Sequence, residues 1–367
     1  MRSCILAVFV VAVVAGCGKD DGPADFERGT AAYAVQDLRA AVACFKAAAD
    51  KNPTNAVARI RLAVANMELG DLDAARAAVD SAIEIMPESA EARFVDGQIA
   101  YFAKDYARAK RDFDDVAGAA GLSADIRSRA LSARAVMEIS ENRFDHARLA
   151  LWRALRLHYG NAAARYHLGH LYRDTYRFED AAQEQFEMAG RLMKDPGRAK
   201  AIVHEVIPAL RESLRAKMAS KPGATSRDPA AAAKLVAEGE ALAKTDAKKA
   251  AARFAEAYAK DPLSYAAAFN CAKSICARAK GGSEIDKAMT AFQDAIDQRP
   301  NSQETYRTAA RAALNSRRPM RAEKFLSQAL AHDYECKPTL ELYVQTLRRL
   351  GKSAEAKLYS AYLSELK

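Results

Sequence analysis

The stretch GTAAYAVQDLRAAVACFKAAADKNP, Gly29 to Pro53, places small residues at fixed points of an otherwise amphipathic helical pattern. Ala41 follows Gly29 by twelve residues, Phe45 comes four later and Ala48 seven later, and Pro53 closes the run. The stretch LGHLYRDTYRFEDAAQEQFEMAGRL, Leu168 to Leu192, carries the same order, with Gly169 twelve before Ala181. Two antiparallel helices explain it. Where they cross, only Gly or Ala lets the backbones approach to the short end of the usual interaxial range. The proline cannot continue the second helix and ends it. Prolines fall in this place at 53, 87, 262 and 300, the first two 34 residues apart and the last two 38. A single helix pair cannot bury its apolar face, so such pairs must stack on one another.

The pattern extends through the chain. Ala63, Gly70, Ala75, Ala82 and Pro87 form a second unit, Gly97, Tyr101, Ala109 and Phe113 a third, and Ala135, Ala147 and Ala154 a fourth. After a less regular segment it resumes at Ala250, Phe254, Ala257 and Pro262, and runs on to Ala288, Ala322 and Ala356, each 34 after the last. This register resembles the tetratricopeptide repeat, a 34-residue helix-turn-helix unit. The resemblance implies an all-α fold, a right-handed superhelical solenoid of tetratricopeptide helix-turn-helix repeats. An ordinary α-bundle with coincidental spacing is the alternative, and the repeated register argues against it.

Composition agrees with a helical array: alanine dominates, aromatics are 8%, and 367 residues contain only 17 Gly and 11 Pro. Residues 1–196 hold 26 Lys and Arg against 28 Asp and Glu, whereas residues 197–367 hold 30 against 19. The second half alone is basic, which bears on partners and not on fold.

The first residues read as targeting signal. Arg2 precedes the apolar run CILAVFVVAVV, too short to span a bilayer with margin, and the run ends in VAGC. Val14, Ala15 and Gly16 before Cys17 resemble the signal of bacterial lipoproteins, which implies cleavage before Cys17, acylation of that cysteine and stable anchoring in a membrane. An ordinary secretory signal is the alternative. Gly18 behind the cysteine resembles lipoproteins forwarded to the outer membrane, and Lys19, Asp20 and Asp21 weakly resemble a surface-export signal. The expected location is the bacterial cell envelope, at the periplasmic face of the outer membrane or the cell surface.

The domain reading is a signal peptide over 1–16, a lipidated tether over 17–24, an N-terminal block of about five repeats over 25–196, and a C-terminal block of about four over 231–367. Residues 197–230 between them read as a long helix, kinked at Pro208, and a loop. The last helix is expected to cap the array with a polar free face. Cys271 and Cys276, five apart on a predicted helix, cannot meet at disulfide distance. With Cys44 and Cys336 they read as small buried or half-buried residues.

No phosphate loop, nucleophile elbow, zinc-spaced cysteine pair or HExxH stands in the sequence, so no catalytic residue, metal or other cofactor, and no small-molecule substrate, is assigned. His167, His170 and Asp174 share roughly one helix face, and a divalent metal or an enzyme built on it is the alternative weighed there. Binding suits the architecture better. In the family the first helix of each repeat, helix A, lines a concave groove. The residues placed there are Phe26 and Tyr33, then Phe94, Gln98 and Tyr101, then Tyr166, His170 and Arg173. In the C-terminal block they are Phe269 and Lys273, Arg307 and Arg311, and Arg348 and Arg349. The resemblance implies protein partners in this groove, with Tyr and Arg as anchors. Any of the aromatics could instead fill core between repeats. A second function of a different kind is binding of an anionic polymer, wall polymer, lipid head group or nucleic acid, by the basic C-terminal block.

Overall fold

The computed structural model describes residues 23–193, 196–279 and 281–366, and among them every regular element is helical. The helices follow in pairs: α1 (Pro23–Ala34) with α2 (Leu38–Lys51), α3 (Ala56–Leu69) with α4 (Leu72–Ile85), α5 (Ala90–Phe102) with α6 (Tyr106–Gly118), and α7 (Ala124–Ser140) with α8 (Phe144–Leu157). Next come α9 (Ala162–His170), a π-turn π1 (Leu171–Tyr176) and α10 (Glu179–Leu192), then α11 (Pro196–Ala201), π2 (Ile202–Val206) and α12 (Ile207–Ala219). Four further pairs close the chain: α13 (Pro229–Leu242) with α14 (Ala247–Lys260), α15 (Tyr265–Arg278) with α16 (Gly282–Gln298), α17 (Gln303–Asn315) with α18 (Pro319–His332), and α19 (Lys337–Arg349) with α20 (Ser353–Glu365). The signal, Cys17 and the tether up to residue 22 lie outside the described residues.

The helices begin and end for local reasons that recur at the repeat spacing. Asp37, Asp71 and Asp105 each accept a hydrogen bond from the backbone N–H three residues on (3.0–3.1 Å) and so cap the second helix, helix B, of the first three pairs. Asn55, Ser89 and Ser123 do the same for the following helix A. Among the described residues, in seven of the pairs the turn between helix A and helix B passes through one left-handed residue, Gln36, Gly70, Lys104, Asn142, Arg177, Arg317 or Gly351, whereas the α13–α14 turn has none. The residue after it returns its N–H to a carbonyl five residues back, as from Asp71 to Asn66 (3.0 Å) and from Lys352 to Leu347 (3.0 Å).

Two compact units result, their first boundary inside α9: one holds the described residues up to Leu168 with Met188–Ala199, the other Gly169–Glu187 with the chain from Lys200 onward. In the first unit the core runs along the crossings. A Cβ added at Gly29 would lie 2.7 Å from the Phe45 ring, and one at Gly97 2.8 Å from Phe113, both far inside contact distance. Where the small residue is Ala63, the partner in the same core cluster is the smaller Val79. Volume is matched across the crossing: glycine faces phenylalanine, alanine faces valine.

The second unit repeats the device at Gly239, where an added Cβ would meet Phe254 at 2.5 Å, and at Gly169, where it would meet Phe186 at 3.0 Å. In the Gly169 pair the structure corrects the register. Gly169 and Phe186 are seventeen apart, whereas Gly97 and Phe113 are sixteen. The extra residue is absorbed by π1, and the Phe178 N–H reaches back six residues, to Tyr172, instead of five. Ala182, not Ala181, therefore holds the crossing position, its N–H bonded to the Phe178 carbonyl (2.9 Å) like that of Ala109 to Asp105 (3.0 Å). The second π-turn, π2, lies just ahead of Pro208, which has no N–H to offer the ladder. On α20, Ser353, Lys357, Ser364 and Glu365 are exposed, giving the last helix a polar free face.

Within the second unit the segment after π1 also closes on repeats far along the chain. Asp180 of α10 accepts from His332 Nε2 (3.0 Å) and Gln328 Nε2 (3.2 Å) of α18, and Glu184 lies 3.2 Å from His332 Nδ1. Lys221, just beyond α12, pairs with Asp294 (2.7 Å) and Asp297 (2.8 Å) of α16. The His332 side chain is only 4% exposed. Burial disfavours its charge, but hydrogen bonds from both ring nitrogens to Asp180 and Glu184 outweigh burial and hold the imidazole up at about 9.

Two outcomes follow. Gly97→Ala should destabilise the fold by about 1–3 kcal/mol in urea unfolding, and adding Phe113→Val should recover part of that loss by restoring the volume match. Because the folded His332 value lies above the ordinary 6.5, its contribution is fully present below pH 6.5 and is lost as pH rises through about 9. The urea midpoint should fall over that window, and His332→Gln should flatten the fall.

Candidate functional site

The helix-A residues assigned to a groove separate into three groups once their surroundings are seen. Phe94 is fully buried and leaves the candidate set: it packs against Phe113 (ring centroids 5.8 Å) beneath the Arg129 guanidinium (4.7 Å). The reason is the crossing at Gly97, which draws Phe113 in and takes Phe94 with it. Phe26 is half-buried against Phe45 (5.7 Å) and belongs mainly to the first core cluster. Tyr33 is half-buried and donates to Glu68 Oε1 (2.8 Å) on the next helix A. Burial first, then Glu68, pushes its phenol far above the ordinary range.

The second group is a crevice. Gln98, Tyr101 and Phe102 of α5 meet Phe113 of α6 and Ala133 and Val136 of α7 around it. Tyr101 is half-exposed, with its ring 5.6 Å from Phe102 and 5.7 Å from Tyr106. Gln98 is 3% exposed, and among the described residues its Nε2 has no hydrogen-bond partner. A buried amide donor left unpaired costs about 1–3 kcal/mol. The crevice is narrow, with about 10 Å³ of free space, room for about one water, and it sets an apolar wall beside one unsatisfied donor. Beside it Arg129 faces Glu91 (3.4 Å), an acid and a base at matching points of neighbouring helices A.

Around π1, Arg173 donates to His170 Nδ1 (3.0 Å) and to Asp174 (2.6 and 3.1 Å), and His170 sits edge-on to Phe186 at 5.1 Å. Burial, then the neighbouring Arg173, lowers the His170 pKa, consistent with an imidazole nitrogen that accepts a hydrogen bond. The guanidinium occupies the atoms a metal would need. No group of three or more His, Cys, Asp or Glu among the described residues is placed to hold a metal ion. His167 is buried with its ring 5.5 Å from that of half-buried Tyr166.

The third group is cationic. Phe269 stacks on Tyr265 (5.6 Å, 10°), with the exposed Lys273 ammonium 5.2 Å from its ring. Arg307 bonds to Thr339 Oγ1 (3.3 Å) and Cys336 Sγ (3.4 Å), bridging two repeats. Arg311, Arg348 and Arg349 are exposed, and among the described residues none of them has a carboxylate within ion-pair distance. The four cysteines described, Cys44, Cys271, Cys276 and Cys336, are free. The sequence reading missed Phe102, Arg129 and Glu91. An acid at one helix A and a base at the equivalent place of the next was the available signal.

Stacked helix pairs with glycine or alanine at each crossing define a helical-repeat protein. Residues 32–95 match the family model for the tetratricopeptide repeat, and residues 264–367 that for the coatomer epsilon subunit. Residues 32–95 are thus similar to the tetratricopeptide repeat, and the consecutive helix pairs form a tetratricopeptide-like helical solenoid. No curated protein matches its sequence. Among solved structures, PilW, a widely conserved type IV pilus biogenesis factor, aligns at 17% identity over 68% of this chain and 98% of its own, with a TM-score of 0.42. MamA aligns at 18% over 50% and 94% (0.34), and the P58(IPK) tetratricopeptide domain at 18% over 91% and 99% (0.28).

With Arg173 seated between His170 and Asp174, a hundredfold excess of zinc should leave the melting temperature unchanged. A micromolar site would add about 3 kcal/mol under those conditions, so a metal-dependent rise in differential scanning would restore the metal reading.

Proposed function

We propose that this chain is a non-enzymatic, lipid-anchored adaptor of the bacterial envelope that holds a protein partner on the helix-A face of its N-terminal unit. The observation that carries the reading is the unpaired Gln98 amide in the crevice walled by Tyr101, Phe102 and Val136. Once Tyr101 and Phe102 move aside to widen the crevice, an extended segment of a partner supplies what is missing there, a backbone carbonyl for Nε2 and an apolar side chain for the wall. Anchoring rests on the sequence around Cys17, and Gly18 favours the outer membrane. Among the described residues no helix is long and apolar enough to cross a membrane.

Gln98→Leu separates binding from folding. Removing the orphan donor should raise the unfolding free energy by about 1 kcal/mol while weakening capture of the partner by a photo-crosslinker at Tyr101, in intact envelopes, about fivefold. Loss of stability with unchanged capture would overturn the assignment. For the anchor, Cys17→Ser should abolish acyl labelling and release the protein from membranes. Unchanged labelling and membrane retention would sink that part of the proposal.

A further inference from the structure

In the C-terminal unit the turns that join helix A to helix B lie side by side along one edge. Arg318, in the α17–α18 turn, donates to the Gly282 carbonyl (3.0 Å) and pairs with Asp286 (2.5 Å) at the start of α16. Lys352, in the α19–α20 turn, pairs with Glu323 (2.6 Å) near the start of α18. These two pairs tie three consecutive turns together and take up the carboxylates Asp286 and Glu323. Arg317, Arg321 and Arg349 remain exposed, and among the described residues none of them has an acid within ion-pair distance.

The contrast between the first three pairs and the last three is one of sign at equivalent positions. In the first three the residue that opens helix B is Asp37, Asp71 or Asp105, each bonded to the helix it caps, as is Asp246 ahead of α14. In the last three it is Gly281, Arg318 or Lys352, and none of these caps its helix with a side chain, nor does Arg143 ahead of α8. Between Arg317 and Arg321 stands Met320, 75% exposed. An isolated exposed methionine gains nothing from a phosphate backbone or an acidic peptide. Set among arginines, it matches the depth profile of a bilayer, with phosphates outside and hydrocarbon just beneath.

The geometry points to this edge as a docking surface for an anionic lipid bilayer, with Arg317, Arg321 and Arg349 on lipid phosphates and Met320 in the acyl boundary. It narrows the polyanion expectation to one ligand and is independent of the groove. The mature chain from residue 17 onward with Cys17→Ser, which lacks both the apolar signal run and the acylated cysteine, isolates the contribution of the edge. In flotation it should bind vesicles containing phosphatidylglycerol, ignore pure phosphatidylcholine, and release as salt rises.

Arg317→Glu with Arg321→Glu should lower partitioning at least tenfold, at about 1 kcal/mol per cation near an anionic surface. Met320→Ser should lower it a few fold. None of these side chains has an ion-pair partner to lose, so melting temperature and crosslinking at Tyr101 should stay unchanged, which separates failure of the edge from failure of the groove. Equal binding to neutral vesicles overturns the proposal, as does a charge-reversed variant that still floats. So does retention of full binding by Met320→Ser together with tight binding of duplex DNA, which would make the edge a nucleic-acid surface.

Discussion

Every other feature of the molecule depends on how closely the two helices of a pair can cross. At Gly97 and Gly239 there is no room for even one more carbon against Phe113 and Phe254. That approach lets a phenylalanine ring lie over bare backbone, so an alanine-rich chain with few large residues still builds a close-packed core. It also explains why repeats with alanine at the crossing use a smaller partner, as at Ala63 and Val79. Stacking the pairs then follows, because each pair leaves apolar surface that only a neighbour can cover.

Much of this was legible in the sequence, because a crossing needs a small residue and a 34-residue spacing displays it. The pairing of α1 to α8 and of α13 to α20 follows from those residues alone. What escaped notice was equally periodic: the caps at 37, 71 and 105, those at 55, 89 and 123, and the left-handed residues at 36, 70 and 104. Gln36 and Lys104 carry no mark of that conformation, since the turn imposes it on whatever residue stands there. The shift from Ala181 to Ala182 was hidden because both alanines satisfy the pattern, and only the π-turn decides between them.

The candidate site was less readable. The helix-A positions assigned on α5 include Phe94 and Gln98, and these two residues, four apart and both buried, play different parts. One is core. The other is an unpaired donor in a crevice, and no feature of local sequence distinguishes a glutamine whose amide is satisfied from one whose amide is not. Charge was visible only as a bulk excess in the second half. Its placement along one edge depends on which cations Asp286 and Glu323 neutralise, and that is a matter of tertiary contact. The same turn position thus serves two ends: aspartate bonds the helix it opens, whereas Arg318 and Lys352 reach carboxylates of the neighbouring repeat.

The contact between Asp180 and His332 spans about 150 residues of chain. An open stack of repeats gains stability one neighbour at a time, and its end can fray without disturbing the middle. Joining α10 to α18 turns the intervening repeats into a loop, and the entropy of closing that loop must be overcome before the contact rewards it. Fraying of α18 then opens the clasp as well, so its repeats are expected to unfold as a block and to assemble late, after the helices between the two ends are already in place.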